Sequence, residues 1–260
     1  MDCKAALQES GGDMEKAIDF LRKKGVASAA KRSGREAKEG LVGVQINGAD
    51  AVLVEANCET DFVARTEDFK GLLQLAIQET FSQGEKAITS EKVTGRVAEL
   101  SGKIGEKIVV RRAKKIHGSG ALFSYVHSNQ KLGVLIELSV SKTESRKNAA
   151  FQELGRNLAM QVAASNPLCI ARSEVPSAAI EREKAIYREE VKGKPENIVE
   201  KILTGKLEKF YQAHCLVEQP FIKEDKKSVK SLLDEVSKQV GDTVQIKQFV
   251  RFQLGETIAQ

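Results

Sequence analysis

The sequence predicts an α+β fold in which a small helical module precedes a duplicated core of two antiparallel-sheet subdomains. Two stretches, beginning near residues 40 and 122, each show a strand–turn–strand pattern, then an amphipathic helix and later another strand. A further stretch of mostly helical character separates the second helix from its late strand. Because each sheet has one face for its own helices, this order predicts two related subdomains, the second with an inserted helical hairpin.

Residues 1–25 are predicted to form a helical N-terminal domain. Asp13 follows two glycines and can cap a helix, because its carboxylate accepts from the first free backbone N–H groups. Gly25 is predicted to end this helix, and a shorter helix is expected from about Asp2 to Glu9. The apolar residues at helical spacing after the cap are Met14, Ala17, Ile18 and Leu21. Residues 26–39 are small and charged, which predicts a linker with room for some helical character.

Residues 40–117 are predicted to form the first core subdomain. The segments 41–46 and 51–56 flank the turn Asn47-Gly48-Ala49-Asp50, and this arrangement is a strong hairpin signal. A third strand is expected near residues 107–113. The helix that follows the hairpin carries its apolar face at Phe69, Leu72, Leu73, Ala76 and Ile77.

Residues 118–260 are predicted to form the second core subdomain. A hairpin is expected around residues 128–131, a helix near Ala149 to Ala164, and the late strand near residues 246–252. The inserted helical hairpin is expected at about residues 177–213, broken at Gly193-Lys194-Pro195. It either packs on the core or projects as an antiparallel arm that touches a partner, and periodicity does not separate the two interpretations.

Composition argues against several classes of protein. The 41 Lys and Arg residues nearly balance 36 Asp and Glu, and the net charge of +5 is small for a nucleic-acid binder of this length. The four cysteines lie far apart, without the Cys-x-x-Cys spacing of metal knuckles. No run of 18 apolar residues occurs, and the first residues lack the apolar stretch of a signal peptide. We therefore expect a soluble intracellular protein with reduced thiols in a cytoplasm-like compartment.

The sequence also lacks the motifs of an enzyme. Gly95 to Gly102-Lys103 has six intervening residues where a phosphate-binding loop has four, and Ile104 replaces the hydroxyl that would bind magnesium. His214 adjoins Cys215, but neighbouring side chains point apart, so a nucleophile–base pair is not expected there. No histidine pair has metal-ligand spacing. We expect no enzymatic activity, no metal and no cofactor.

One segment, at the junction between a strand and a helix, carries an unusual combination of side chains. It reads Cys58-Glu59-Thr60-Asp61-Phe62-Val63-Ala64-Arg65. One interpretation is that Thr60 or Asp61 caps the helix and Phe62 belongs to the core. The other is that a carboxylate and an aromatic ring face solvent together, where the ring could wedge into a partner.

Motifs along most of the chain resemble those of the elongation factor Ts family. In order they are Met1-Asp2-Cys3-Lys4, Gly11-Gly12-Asp13, Glu55-Ala56-Asn57-Cys58-Glu59-Thr60-Asp61-Phe62-Val63-Ala64-Arg65, Lys103-Ile104-Gly105-Glu106, Ser124-Tyr125-Val126-His127, Gly133-Val134-Leu135 and Gln219-Pro220-Phe221. The resemblance implies a ubiquitin-associated-like helical domain at residues 1–25 and the two subdomains with an inserted hairpin. It also implies a guanine-nucleotide exchange factor for the GTPase elongation factor Tu, acting during translation elongation. The implied location is a cytoplasm of bacterial type, and an organellar origin stays open.

The same resemblance assigns roles to particular residues. Thr60, Asp61, Phe62 and Val63 match the family segment that disturbs the magnesium site of elongation factor Tu. Ile104, Gly105 and His127 match further partner contacts. No membrane and no direct nucleic-acid partner is implied, and a homodimer or a two-to-two complex stays open. The alternative is an RNA- or ribosome-binding module, favoured by basic runs such as residues 111–115 and 223–227.

Two departures from the family pattern concern the chain ends. The family has a further helix and a Leu-Arg-x-x-Thr-Gly segment before the match to Met1-Asp2-Cys3-Lys4, so we expect an incomplete N-terminal domain here. The chain also stops soon after Glu256, without the additional C-terminal helix of some relatives. Both departures predict weaker binding of the partner.

Overall fold

The computed structural model describes residues 2–193 and 195–257. Met1, Lys194 and residues 258–260, parts of the predicted N-terminal, inserted and C-terminal segments, lie outside the described residues. The helices and strands are α1 (Asp2–Glu9), α2 (Met14–Lys31), β1 (Glu39–Asn47), β2 (Asp50–Cys58), α3 (Asp61–Ala64), α4 (Glu67–Gln83), α5 (Glu91–Ile104), β3 (Val109–His117), β4 (Ala121–Val126), β5 (Leu132–Ser139), α6 (Ala149–Ser165), α7 (Ser177–Glu190), α8 (Glu196–His214), β6 (Pro220–Phe221), β7 (Glu224–Ser228), α9 (Val229–Val240) and β8 (Gln245–Gln253).

The predicted α+β fold is confirmed. One three-stranded sheet has the order β1-β2-β3 and another has the order β4-β5-β8. In each sheet the middle strand is the second of the three strands in chain order. Both predicted hairpins are present, and in the first the Asn47–Asp50 pair closes the turn. Helix α4 buries the predicted apolar face, and α6 occupies the corresponding place after the second hairpin.

The predicted end of the second helix at Gly25 is wrong, because α2 continues to Lys31. A Cβ at Gly102 of α5 would lie 3.1 Å from the Cα of Gly25, so the two glycines let α2 and α5 approach closely. Gly25 therefore allows close packing of the two helices and does not end α2. Part of the predicted linker, residues 26–39, is helical, and its last residue already belongs to β1.

Helix α5 was not predicted, since its two glycines weaken the helical pattern. It begins after Ser90, whose hydroxyl accepts from the backbone N–H of Val93, and it buries Val93 and Leu100. The short pair β6–β7 and helix α9 were not predicted either. Capping by Ser228 and Gly241 is the sequence signal that marks α9.

The chain forms two compact units, and their limits differ from the predicted boundary after residue 117. The first unit contains the described residues up to Gly118, together with Val126–Leu135 and residues 252–257. The tip of the second hairpin joins this unit because the Val42 N–H donates to the Gln130 carbonyl at 2.7 Å. The second unit holds Ser119–Tyr125 and Ile136–Arg251.

A buried carboxylate, Glu55 of β2, lies within the first unit. The β2–β3 register shifts after Glu55, so Arg111 is an extra residue in β3. Neighbouring residues on a regular strand point to opposite faces, whereas this bulge lets both Arg111 and Arg112 reach Glu55, at 3.1 and 2.6 Å. The Gly255 N–H donates to the same carboxylate at 2.9 Å. Three donors thus compensate the buried charge.

The second unit has its own buried carboxylate at Glu137 of β5. Burial opposes its ionisation, but bonds from the Gln248 amide and the Gly120 N–H, each at 2.7 Å, and from Ser119 hold its pKa below the usual value. The middle strand of each sheet therefore carries a buried glutamate. The duplicated architecture extends to this polar feature, although the donors differ.

The predicted inserted hairpin consists of α7 and α8. The two helices pack together through a cluster of buried Val191, Val199 and Leu203. At the base of the insertion, the backbones of Cys169 and Cys215 form an isolated parallel β-bridge. Their thiols are free, and the two sulfur atoms lie 3.8 Å apart. Both chain ends of the insertion are thus held close together.

Three of the four cysteines are buried, and this predicts selective thiol chemistry. Burial raises the pKa of Cys58 and of Cys215 to about 12, and it also raises the pKa of Cys169. Because the thiolate is the nucleophile, these thiols stay protonated and unreactive near neutral pH. We expect N-ethylmaleimide to give a single adduct on exposed Cys3 in the native protein, measured by intact mass. Incorporation of two or more groups without denaturant would contradict this.

Candidate functional site

The predicted segment forms a tight turn between β2 and α4. Thr60 is the N-cap of the four-residue helix α3, and its hydroxyl accepts from the Val63 N–H at 3.4 Å. Thr66 caps α4 in the same way and also donates from its hydroxyl to the Val63 carbonyl at 2.7 Å. Two caps six residues apart fix the path of the chain through the turn.

Phe62 lies at the exposed side of this turn. Its side chain is 79% exposed, the largest fraction among the large apolar side chains that the structure describes. The adjacent Val63 and Ala64 are buried in the core below. Thr60 caps the short helix α3, whereas the amphipathic helix α4, which it was expected to cap, begins after Thr66. The interpretation of Phe62 as a core residue is wrong.

The carboxylate of Glu106 holds the start of the turn. Its Oε2 accepts from the backbone N–H groups of Glu59 and Thr60, each at 3.1 Å, and its Oε1 accepts from the Thr60 hydroxyl at 2.7 Å. Glu59 reciprocates, because its Oε1 accepts from the Lys107 N–H at 2.6 Å. We call these reciprocal bonds of Glu59 and Glu106 the carboxylate clasp.

Further contacts fix the clasp from outside. The Lys107 N–H holds the pKa of Glu59 below its usual value, and Arg35 contributes from 3.3 Å. The Ser101 hydroxyl donates to the Glu106 carbonyl at 2.5 Å. Gly105, with φ of +86°, ends α5 in the left-handed region that favours glycine, and the chain then turns toward Glu106.

Asp61 faces solvent beside Phe62. Its carboxylate accepts from Arg65 at 2.8 Å, one helical turn away, and both side chains are substantially exposed. An exposed pair of this kind adds little to stability. The arrangement leaves a carboxylate next to an exposed aromatic ring, so the turn can offer charge and apolar surface together.

The structure brings some of the predicted site residues together. Ile104 and Gly105 end α5 directly before Glu106, so the clasp joins them to the turn at Thr60. His127 is exposed at the tip of the second hairpin, where its N–H donates to the Leu132 carbonyl at 2.9 Å. It belongs to the same compact unit but to a separate element.

Comparison with known proteins identifies the family. The family model described as elongation factor TS matches residues 59–256. The chain belongs to the elongation factor Ts family. It is 45% identical to the elongation factor Ts of Prosthecochloris aestuarii, with 98% of this chain and 93% of the relative aligned. It is 44% identical to that of Nitratidesulfovibrio vulgaris strain DP4, over 100% of this chain and 91% of the relative.

Membership of the family makes the chain a translation elongation factor. A third relative, the elongation factor Ts of Lawsonia intracellularis, is 40% identical over 98% of this chain and 93% of its own length. Within residues 2–193 and 195–257, no helix is long and apolar enough to cross a membrane. In the same part of the chain, no three His, Cys, Asp or Glu side chains are grouped to hold a metal ion.

Sequence reasoning gave no role to Glu59 and Glu106. Glu106 follows Ile104 and Gly105 in one family motif, and Glu59 stands beside Thr60 in another. The two glutamates are 47 residues apart, so their reciprocal bonds depend on how α5 returns to the end of β2. Their occurrence inside two matched motifs is the only signal that the sequence contains.

Proposed function

We propose that this elongation factor accelerates GDP release from elongation factor Tu by disturbing the magnesium site of that GTPase. The observation that carries the proposal is the exposed ring of Phe62 on a turn held by two helix caps and the carboxylate clasp. Exposure to water raises the free energy of an apolar side chain of this size, and burial against a partner lowers it. Ile104, Gly105 and His127 are proposed as further partner contacts.

The physical basis of exchange is differential binding. A protein that binds the nucleotide-free GTPase more tightly than the GDP complex weakens GDP binding by the same factor. Magnesium is often the largest local charge in a phosphate site, so displacing the elements that hold it weakens GDP without entry into the nucleotide pocket. In this proposal Phe62 acts as the wedge and Asp61 alters the charge or hydrogen bonding beside the ion.

The contribution of Asp61 can be tested by Asp61→Asn. We expect this change to reduce the stimulated release of mant-GDP from elongation factor Tu by about fivefold, since one partly exposed charge contributes about 1 kcal/mol to such an interface. Release is measured by stopped-flow fluorescence, with Glu67→Gln on α4 as a matched surface control. Unaltered release by Asp61→Asn would remove Asp61 from the mechanism. No stimulation by the unaltered protein would overturn the proposed function.

The RNA-binding alternative has less support. In the basic run at residues 111–115, Arg111 and Arg112 bind Glu55, Lys114 pairs with Glu85, and Lys115 lies 3.6 Å from Asp50. Lys227 of the second run pairs with Glu224 and Glu235. These charges are compensated within the chain. A salt titration separates the two functions, because RNA affinity should fall by about three orders of magnitude between about 50 and 200 mM salt.

A further inference from the structure

We propose that Glu106 is a positioning residue for nucleotide exchange, one that holds the turn at Thr60–Val63 so that Phe62 stays exposed and oriented. This inference rests on the proposed function, because the orientation matters only if Phe62 engages a partner. Glu106 itself does not need to touch the partner. Its role follows from the three hydrogen bonds that its carboxylate accepts from residues 59 and 60.

The turn needs an external restraint. Helix α3 has four residues, too few for a helix to be stable by itself. Folding back onto nearby apolar surface lowers the free energy of an exposed phenylalanine. An unrestrained turn would therefore populate conformations in which the ring is buried. Restraint by Glu106 opposes that collapse. The ordering cost is then met during folding and not at the encounter with the partner.

Glu106 is well placed to supply that restraint. Its backbone is fixed on one side by the end of α5 at Gly105 and on the other by the bond from the Lys107 N–H to Glu59. The Ser101 hydroxyl secures its carbonyl. A carboxylate that accepts from two N–H groups and one hydroxyl is held in one geometry, since each bond has its own direction.

The hydrogen bonds and the charge of Glu106 can be separated. In Glu106→Gln, the amide oxygen can still accept from the two N–H groups while the amide nitrogen donates to the Thr60 hydroxyl. In Glu106→Ala, all three bonds are lost. A positioning role predicts that glutamine preserves exchange activity and alanine does not, whereas a direct electrostatic role predicts that both changes impair it.

The test combines stopped-flow mant-GDP release from elongation factor Tu with hydrogen–deuterium exchange of the variant itself. For Glu106→Ala we expect the maximal stimulated release rate to fall about tenfold or more, because small misplacements of an acting group have effects of this size. The half-saturating concentration should change little, since other partner contacts remain. Amide exchange at residues 59–60 should rise by a similar factor. Glu106→Gln should stay within about threefold of the unaltered protein in both measurements.

Two controls make the outcome decisive. Glu99→Ala removes an exposed glutamate of helix α5, which ends just before Glu106, and should leave both measurements unchanged; Glu99 pairs with Arg96. Thr60→Val removes the hydroxyl that donates to Glu106 and also caps α3, so the double variant should lose less release than the two single effects combined if the Thr60–Glu106 contact is shared. If Glu106→Ala does not fold, Thr60→Val alone is the test, and full stimulated release by Thr60→Val would then contradict the positioning role.

Failure of this inference is distinguishable from failure of the proposed function. Full stimulation by Glu106→Ala, with the unaltered protein active, would overturn the positioning role and leave the proposed function intact. Equal loss in Glu106→Gln and Glu106→Ala would also overturn it, in favour of a direct charge effect. No stimulation by the unaltered protein would overturn both.

Discussion

Replacing Phe62 by alanine is expected to reduce stimulated GDP release from elongation factor Tu by about 30-fold, equivalent to about 2 kcal/mol. The reason is that the ring is 79% exposed in the free protein and contributes burial only when a partner covers it. The free energy of unfolding should therefore change by less than about 0.5 kcal/mol, as for other surface substitutions. Stopped-flow release and urea unfolding measure the two quantities on the same preparations.

A suitable control for Phe62→Ala is Leu168→Ala, which removes another exposed apolar side chain from the second compact unit. We expect this control to retain stimulated release. An equal loss in both variants would indicate a general effect of surface hydrophobicity. Retained release by Phe62→Ala would refute the role of the ring as a wedge.

The largest expected effect on stability comes from Glu55→Gln, which should lower the free energy of unfolding by about 3 kcal/mol. The carboxylate is buried, and its neutralisation removes the charge that Arg111 and Arg112, themselves mostly buried, share, although Arg112 retains Glu256. The glutamine amide also brings N–H donors toward existing donors. Urea unfolding followed by circular dichroism at 222 nm gives the difference.

Glu39→Gln is the matched control for that measurement. Glu39 lies in the same unit and pairs with Lys131 at 2.5 Å, but both side chains are about one-third exposed or more. Exposed pairs contribute about 0–1 kcal/mol, so this change should have a small effect. If the two variants unfold at the same urea concentration, the buried network is not a main source of stability.

The elements with strong periodic signals were predictable from the sequence. The first hairpin had a turn with glycine between alternating apolar segments, and α4 had its apolar face at helical spacing. Helix α5 was missed because Gly95 and Gly102 resemble helix breakers locally. Gly25 was misinterpreted for a related reason: a glycine that permits close helix packing has the same sequence signature as one that ends a helix.

The candidate site was predictable only in part. That Thr60 can cap a helix follows from its residue type, but the separate short helix α3 that it caps was not predicted. The exposure of Phe62 depends on which neighbour fills the core. Val63 and Ala64 fill it, so the ring is left outside. The carboxylate clasp depends on tertiary contacts between residues 47 positions apart along the chain. Local sequence patterns do not reveal which residues so far apart will meet.

The bond from the Gly255 N–H to Glu55 has a consequence for synthesis. Its two residues are 200 positions apart along the chain. Translation adds about 5–20 residues per second, so the ribosome needs about 10–40 s to make the stretch between them. Once Arg111 and Arg112 of β3 have been added, the first sheet has two of the three donors to Glu55 and lacks the third until Gly255 is made. The nascent chain therefore completes the hydrogen bonds of its first sheet long after the three strands of that sheet are made. The delay is set by the rate of translation elongation, the process in which the finished protein takes part.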